Sequence, residues 1–105
     1  MKEITVEEFK SIIDKNEEYQ LIDVREPHER EIASIYGLNI PLANVPSRVE
    51  EFVKDKKVIV YCRSGKRSAT AIHQIEEATG NENLYNLKGG ILEWAEKIDN
   101  SIEKY

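Results

Sequence analysis

The only cysteine of the chain, Cys62, follows directly on the four apolar residues 58–61, and a helical pattern begins near Arg67. Residues 62–67 must therefore turn the chain from a strand into a helix within one short loop. Gly65 permits the unusual dihedrals that such a turn needs. In a turn of this kind main-chain N–H groups converge, and the helix dipole adds positive potential. The sequence thus predicts an anion site with a thiol at its centre.

Basic side chains surround this cysteine. Arg63, Lys66 and Arg67 lie within five residues of Cys62, in a chain that is acidic as a whole. A lone cysteine is more often a small buried hydrophobe than a nucleophile, but a thiol at a helix start beside cations is stabilised as its thiolate. We predict that Cys62 is the catalytic nucleophile and that the three cations bind an anionic substrate. Arg67 closes the loop and is expected to contribute most to this binding, whereas Arg63 and Lys66 point along the rim.

The other loop residues are predicted to supply N–H groups and one hydroxyl. Ser64 and Gly65 present main-chain donors to the bound anion. Ser68 has two possible roles that the sequence does not separate, because its hydroxyl can donate to the cysteine sulfur or cap the helix. The predicted substrate-binding residues are therefore Arg63, Ser64, Gly65, Lys66, Arg67 and Ser68.

Two further charges follow another predicted strand. Asp23 and Arg25 lie at the end of the mainly apolar segment that begins at Tyr19. Partly buried ions need partners, so we expect a structural ion pair, with direct contact to substrate as the alternative. His73 follows Ile72 and should face solvent. No group of His, Cys, Asp and Glu has metal-ligand spacing, so neither a metal nor a cofactor is predicted.

The composition restricts the partners and the compartment. The 105 residues are enough for one domain, 1–105, with a core of its own. A net charge of −5 without a basic stripe argues against nucleic-acid binding. One cysteine cannot form an internal disulfide, no apolar stretch approaches the ~20 residues that cross a membrane, and the N-terminus lacks an apolar signal region. We expect a cytoplasmic monomer.

The apolar pattern predicts strands that alternate with helices. Strands are predicted at 19–24, 38–40, 58–61 and 84–87. Helices are predicted after Thr5, which fits a capping box with Glu8, and at 26–32, after Asn44, at about 67–80 and after Gly90. This alternation favours a parallel sheet that helices cover on both faces. Ligands of such sheets bind beyond the carboxyl ends of strands, where Cys62 lies.

Four segments resemble the motifs of one family, in that family's order. They are LIDVREP at 21–27, NIPL at 39–42, CRSGKRS at 62–68 and LKGGILEW at 87–94. Along nearly its whole length the chain is similar to single-domain rhodaneses. The resemblance implies a rhodanese-like three-layer α/β fold, in which helices cover both faces of a central five-stranded parallel sheet. It also implies that Cys62 carries sulfane sulfur as a persulfide and that Asp23 and Arg25 support the loop.

The predicted activity is that of a sulfurtransferase of the thiosulfate sulfurtransferase type. The Cys62 thiolate takes the outer sulfur of thiosulfate or a related donor and passes it to cyanide, a small thiol or a protein thiol such as a sulfur carrier. A persulfide relay that a cysteine desulfurase loads, for cofactor or tRNA thiolation, uses the same chemistry and stays open as an alternative.

Two other classes fit less well. Phosphatases and arsenate reductases also place a cysteine beside an oxyanion loop, but tyrosine phosphatases have five residues between cysteine and arginine, whereas four separate Cys62 from Arg67. The shorter loop predicts a smaller cradle, which suits one sulfur atom better than a phosphoryl group. Non-catalytic rhodanese-like binding modules usually lack the cysteine that this chain has.

Overall fold

A sheet of five parallel strands lies at the centre of the molecule. The computed structural model describes all 105 residues. The strands are β1 (Glu3–Ile4), β2 (Tyr19–Asp23), β3 (Leu38–Asn39), β4 (Lys57–Tyr61) and β5 (Leu84–Leu87). They lie in the order β1-β5-β4-β2-β3, and every neighbouring pair is parallel. The predicted α/β class and five-stranded parallel sheet are confirmed.

Four α-helices accompany the strands: α1 (Val6–Asp14), α2 (Pro27–Ile32), α3 (Lys66–Thr79) and α4 (Gly90–Lys97). The capping box predicted for α1 is present, because Thr5 Oγ1 accepts from the Glu8 N–H and a Glu8 carboxylate oxygen accepts from the Thr5 N–H. Gly80 ends α3 in the left-handed conformation, with a φ of 73°. None of these helices has both the length and the apolar character needed to cross a bilayer.

The sheet separates two hydrophobic clusters. Side chains alternate along β4, so that Val58 and Val60 join one cluster while Ile59 and Tyr61 join the other. The first cluster packs against α3, and the second packs against α1 and α4. Cys62 continues the alternation into the first cluster. Its side chain therefore lies on the α3 side of the sheet.

The α-helix predicted after Asn44 is wrong. This part of the chain forms two 3₁₀ helices, Leu42–Ser47 and Val49–Glu51. Pro46 has no N–H to donate and disfavours α-helical dihedrals in the residue before it. Val45 and Phe52 are buried nonetheless, so the apolar residues reach the core through tighter turns than the predicted helix has.

The apolar pattern also misses β1, the fifth strand, which only the family resemblance implied. This edge strand has two residues, and Ile4 is the buried one. It pairs with β5 through Glu3 opposite Asn86 and Ile4 opposite Leu87. Two residues are too few to give the alternation by which a strand is recognised in sequence.

Candidate active site

The carboxyl ends of two central strands bring the predicted site residues together. β2 and β4 are parallel neighbours, with Asp23 opposite Tyr61 at the last position of their pairing. Cys62 directly follows β4, and Arg25 lies two residues beyond the end of β2. We call residues 62–68 the cysteine loop. This loop and the segment 23–25 therefore lie together at the carboxyl ends of the central strands.

The sulfur of Cys62 accepts hydrogen bonds from the main chain of its own loop. The Gly65 N–H donates to Sγ at 3.1 Å and the Ser68 N–H donates at 3.4 Å. The Ser68 Oγ also lies 3.4 Å from this sulfur. Hydrogen bonds that donate to sulfur favour its anionic form. Cys62 is only 1% exposed, so the loop that covers the sulfur also controls access to it.

The conformation of the cysteine loop depends on Gly65. This residue is the N-cap of α3 and has a φ of 106°, which residues with a side chain rarely adopt. Ser68 lies inside the first turn of α3, so helix capping, one of its two predicted roles, is excluded. Its hydroxyl lies 3.4 Å from the sulfur, but it donates its proton to Asn86.

The cysteine loop carries further main-chain donors. The N–H groups of Arg63, Ser64, Lys66 and Arg67 have no acceptor within the protein. Those of Lys66 and Arg67 belong to the first turn of α3, where the helix dipole favours negative charge. Of the two predicted main-chain donors to an anion, that of Ser64 is therefore without an acceptor, whereas that of Gly65 donates to the cysteine sulfur.

Asn86 of β5 fixes the loop from below and was missed by the sequence prediction. Its Nδ2 donates to the Gly65 main-chain oxygen at 3.0 Å, and its Oδ1 accepts from the Ser68 hydroxyl at 2.6 Å. Asn86 is buried. It thus holds both residues whose N–H groups donate to the cysteine sulfur. The only signal in the sequence is a polar side chain within an apolar strand.

Helix α4 begins directly against the back of the cysteine loop. The Ile91 N–H donates to the Cys62 carbonyl oxygen at 3.0 Å, and the Leu92 N–H donates to that of Arg63 at 3.2 Å. A Cβ atom on Gly90 would lie 2.4 Å from the Arg63 oxygen and 2.7 Å from the Cys62 oxygen. Only glycine therefore allows α4 to approach the loop this closely.

Asp23 and Arg25 form the predicted ion pair, and neither side chain is exposed. Asp23 accepts from Arg25 Nε at 3.0 Å and Nη2 at 2.9 Å, and also from Arg30 and the Tyr61 hydroxyl. Burial opposes the charge on Arg25, but hydrogen bonds to Asp23 and Tyr105 outweigh it and raise the Arg25 pKa. Burial, with the charge of Asp23, raises the pKa of Tyr61 to about 12, so its hydroxyl remains a donor.

Arg67 is held by Glu29 of α2, which the sequence prediction also missed. Its Nη1 and Nη2 donate to the two carboxylate oxygens of Glu29 at 2.6 and 2.8 Å. These hydrogen bonds, opposed by burial, lower the pKa of Glu29 to about 2. The guanidinium predicted to bind substrate is therefore already paired on both terminal nitrogens.

The two remaining loop cations differ in their partners. Arg63 donates from Nε to the main-chain oxygen of Tyr105 at 2.7 Å, and its Nη2 contacts the same oxygen. Lys66 is exposed and forms no ion pair. Lys66 is therefore the cation of the loop that is free to meet an anion. His73 faces solvent, as predicted, with its Nε2 3.2 Å from Glu77.

The largest cleft of the protein, about 710 Å³, lies away from the cysteine loop. Its walls come from α1, β2, α4 and the segments 34–37 and 99–102, without any residue of 62–68. The chemistry of the loop, rather than the size of the cleft, identifies the candidate site.

Comparison with known proteins identifies the family of the chain. Residues 5–97 match the family of the rhodanese-like domain. The chain belongs to that family. The relatives of the chain include a protein named a sulfurtransferase.

Two relatives and one solved structure show the extent of the likeness. The uncharacterized protein YqhL of Bacillus subtilis (strain 168) is 43% identical over 99 residues, which are 93% of this chain and 75% of that protein. A sulfurtransferase of Allochromatium vinosum is 35% identical over 96 residues, 90% of this chain and 89% of that protein. A rhodanese-related protein from Thermoplasma volcanium has a crystal structure that matches with a TM-score of 0.82 and 28% identity over the whole of both chains.

Replacing Gly90 by alanine tests the approach of α4 to the loop. Gly90→Ala should lower the free energy of unfolding by about 2–4 kcal/mol, because the new Cβ overlaps main-chain atoms. Gly80→Ala is the matched control: φ is positive there too, but a Cβ meets nothing within 4 Å, so about 1 kcal/mol is expected. Urea denaturation measures both, and equal losses would contradict the close approach.

The ion pair between Glu29 and Arg67 predicts a pH dependence of stability. A carboxylate whose pKa falls from 4.5 to about 2 on folding contributes stability that is complete above about pH 5 and is lost as the pH falls to 2. Relative to the wild type, Glu29→Gln should lose about 1–2 kcal/mol at neutral pH, and this difference should shrink below pH 4.5. Glu17→Gln, at an exposed residue without an ion pair, is the control. A pH-independent loss for Glu29→Gln would exclude the pairing.

Proposed function

We propose that the protein is a sulfurtransferase in which Cys62 carries sulfane sulfur as a persulfide. The observation that carries this proposal is the sulfur of Cys62 at the centre of its loop, with the Gly65 and Ser68 N–H groups at 3.1 and 3.4 Å. Fixed donors of this kind stabilise negative charge on sulfur, first in the thiolate and then in the persulfide. The family to which the chain belongs supports the same chemistry.

The first half-reaction loads the protein. The Cys62 thiolate attacks the outer sulfur of thiosulfate, a new S–S bond forms, and the S–S bond of the donor breaks to release sulfite with its electron pair. The total charge of reactants and products is the same, and no proton is transferred. A general base is therefore not needed once the thiolate is present.

The second half-reaction unloads it. A thiophilic acceptor such as cyanide attacks the outer sulfur of the persulfide. This sulfur leaves bonded to cyanide as thiocyanate, and the electron pair of the broken S–S bond restores the Cys62 thiolate. A small thiol or a protein thiol can take the sulfur in the same way. Because the donor's sulfite product leaves before the acceptor reacts, ping-pong kinetics are expected.

The anionic donor is proposed to bind to Lys66 and to the loop N–H groups without an acceptor. Arg67 is the less suitable ligand, because its charge is already paired with Glu29, which accepts one hydrogen bond from each terminal nitrogen. In this proposal Arg67 ties α3 to α2, and the buried pair of Asp23 and Arg25 supports the loop without touching substrate.

A persulfide relay is the second candidate. The exposed Lys66 and Ser64 lie on the rim of the loop, where a protein donor or acceptor can approach. A phosphatase is disfavoured, because the Arg67 guanidinium, which would face a phosphoryl group, is held by both carboxylate oxygens of Glu29.

Replacing Cys62 by serine tests the proposed nucleophile. Cys62→Ser should abolish sulfur transfer from thiosulfate to cyanide, because a hydroxyl does not carry sulfane sulfur. Thermal unfolding should confirm that the variant folds, since the two side chains differ by one atom. Substantial activity in a folded Cys62→Ser protein would remove Cys62 from the mechanism.

Alanine at position 66 tests the site of donor binding. Lys66→Ala should raise the Michaelis constant for thiosulfate about three- to tenfold with little change in turnover, because an exposed cation contributes modest ground-state binding. Lys54→Ala, at the opposite end of the sheet, is the control and should change neither constant. A larger increase of the Michaelis constant for Arg67→Ala than for Lys66→Ala would assign donor binding to Arg67 instead.

A further inference from the structure

The last residue of the chain, Tyr105, contacts the cysteine loop directly. Its main-chain oxygen accepts from Nε of Arg63 at 2.7 Å and also contacts Nη2 of that side chain. Its ring centroid lies 5.2 Å from the guanidinium carbon of Arg63. The cation next to Cys62 in the sequence is therefore held by Tyr105 through both hydrogen bonds and stacking.

The hydroxyl of Tyr105 is anchored on the far side of the ring. It accepts from Nη1 of Arg25 at 3.0 Å and donates to Glu29 at 2.6 Å. Burial, together with the hydrogen bond to Glu29, raises the pKa of Tyr105, so the hydroxyl keeps the proton that it donates. Because Arg25 and Glu29 belong to the two ion pairs beside the loop, Tyr105 is fixed at a defined position.

The segment before Tyr105 holds the residue in place. Ile98 and Ile102 pack against the second hydrophobic cluster, and Tyr105 itself is partly buried there. Lys104 forms an ion pair with Glu96 of α4. The chain after α4 is therefore attached to the body of the protein up to its contact with Arg63.

We propose that Tyr105 determines the specificity of the loop by holding Arg63 away from the donor. This inference rests on the proposed function of Cys62. With Arg63 held by Tyr105 and Arg67 held by Glu29, Lys66 is the one cation of the loop that meets an anionic reagent. Release of Arg63 would add a mobile positive charge beside Cys62 and raise the preference of the thiolate for anionic over neutral reagents.

The rates at which iodoacetate and iodoacetamide alkylate Cys62 measure this preference. The two reagents transfer groups of similar size but differ in charge, so the ratio of their rates reports the local potential. Deletion of residues 103–105 removes the acceptor oxygen and the ring, so the ratio of iodoacetate to iodoacetamide should rise about three- to tenfold, as expected for one added charge close to the sulfur. Tyr105→Ala keeps the main-chain oxygen but removes the stacked ring and the hydroxyl that fix its position, and the ratio should rise in the same direction.

Three further variants test whether the effect comes from Arg63. The double variant Arg63→Ala with Tyr105→Ala should show the same ratio as Arg63→Ala alone, because no guanidinium is then released. Lys104→Ala, which removes the neighbouring ion pair of the tail, should leave the ratio within a factor of about two. In the wild type, NMR should detect slow exchange of the Arg63 Nε–H, and this protection should be lost when residues 103–105 are deleted, because the acceptor oxygen is then absent.

Each outcome decides the inference. An unchanged ratio in both Tyr105→Ala and the deletion, or a rise that persists in the double variant, overturns it while leaving Cys62 as nucleophile. Rapid exchange of the Arg63 Nε–H in the wild type overturns it without any variant. If neither reagent alkylates Cys62, the proposed function fails, and this inference fails with it.

Discussion

The hydrogen bonds from the Gly65 and Ser68 N–H groups to the sulfur of Cys62 are the interaction on which the candidate site depends. They exist only while the loop keeps its conformation, and three separate parts of the fold hold it. Gly65 adopts the left-handed backbone conformation, and Asn86 of β5 binds Gly65 and Ser68. The start of α4 packs closely against the loop because residue 90 is glycine. The core around the sheet thus supports a precise arrangement around one sulfur atom.

The charges near this sulfur are distributed among several partners. Arg25 is paired with Asp23, Arg67 with Glu29, and Arg63 with the main chain of Tyr105. A paired cation fixes the position of the element that carries it. A cation without a partner is free to bind a ligand, but it does not hold its element in place. Under the proposed function, this division leaves Lys66 for an anionic donor and makes the other three cations part of the scaffold.

Local features of the site could be predicted from the sequence, and contacts between distant segments could not. Cys62 and Gly65 are placed by a strand, a turn and a helix that follow one another along the chain, so their positions in the loop are visible in the pattern. Glu29, Asn86 and Tyr105 reach the loop from other parts of the chain, and nothing local distinguishes them from ordinary polar residues. Periodicity fails for different, local reasons at two other places. β1 is too short to show alternation, and at 42–51 a segment containing Pro46 forms 3₁₀ turns in place of the predicted helix.

The most direct test of the account is the intact mass of the protein after treatment with thiosulfate. Because Cys62 is the only cysteine, a persulfide can form at one position. The wild type should gain the mass of one sulfur atom, cyanide should remove it as thiocyanate, and Cys62→Ser should gain nothing. A wild-type protein that folds but takes up no sulfur from thiosulfate or from a persulfide donor would contradict the account, as would equal uptake by Cys62→Ser.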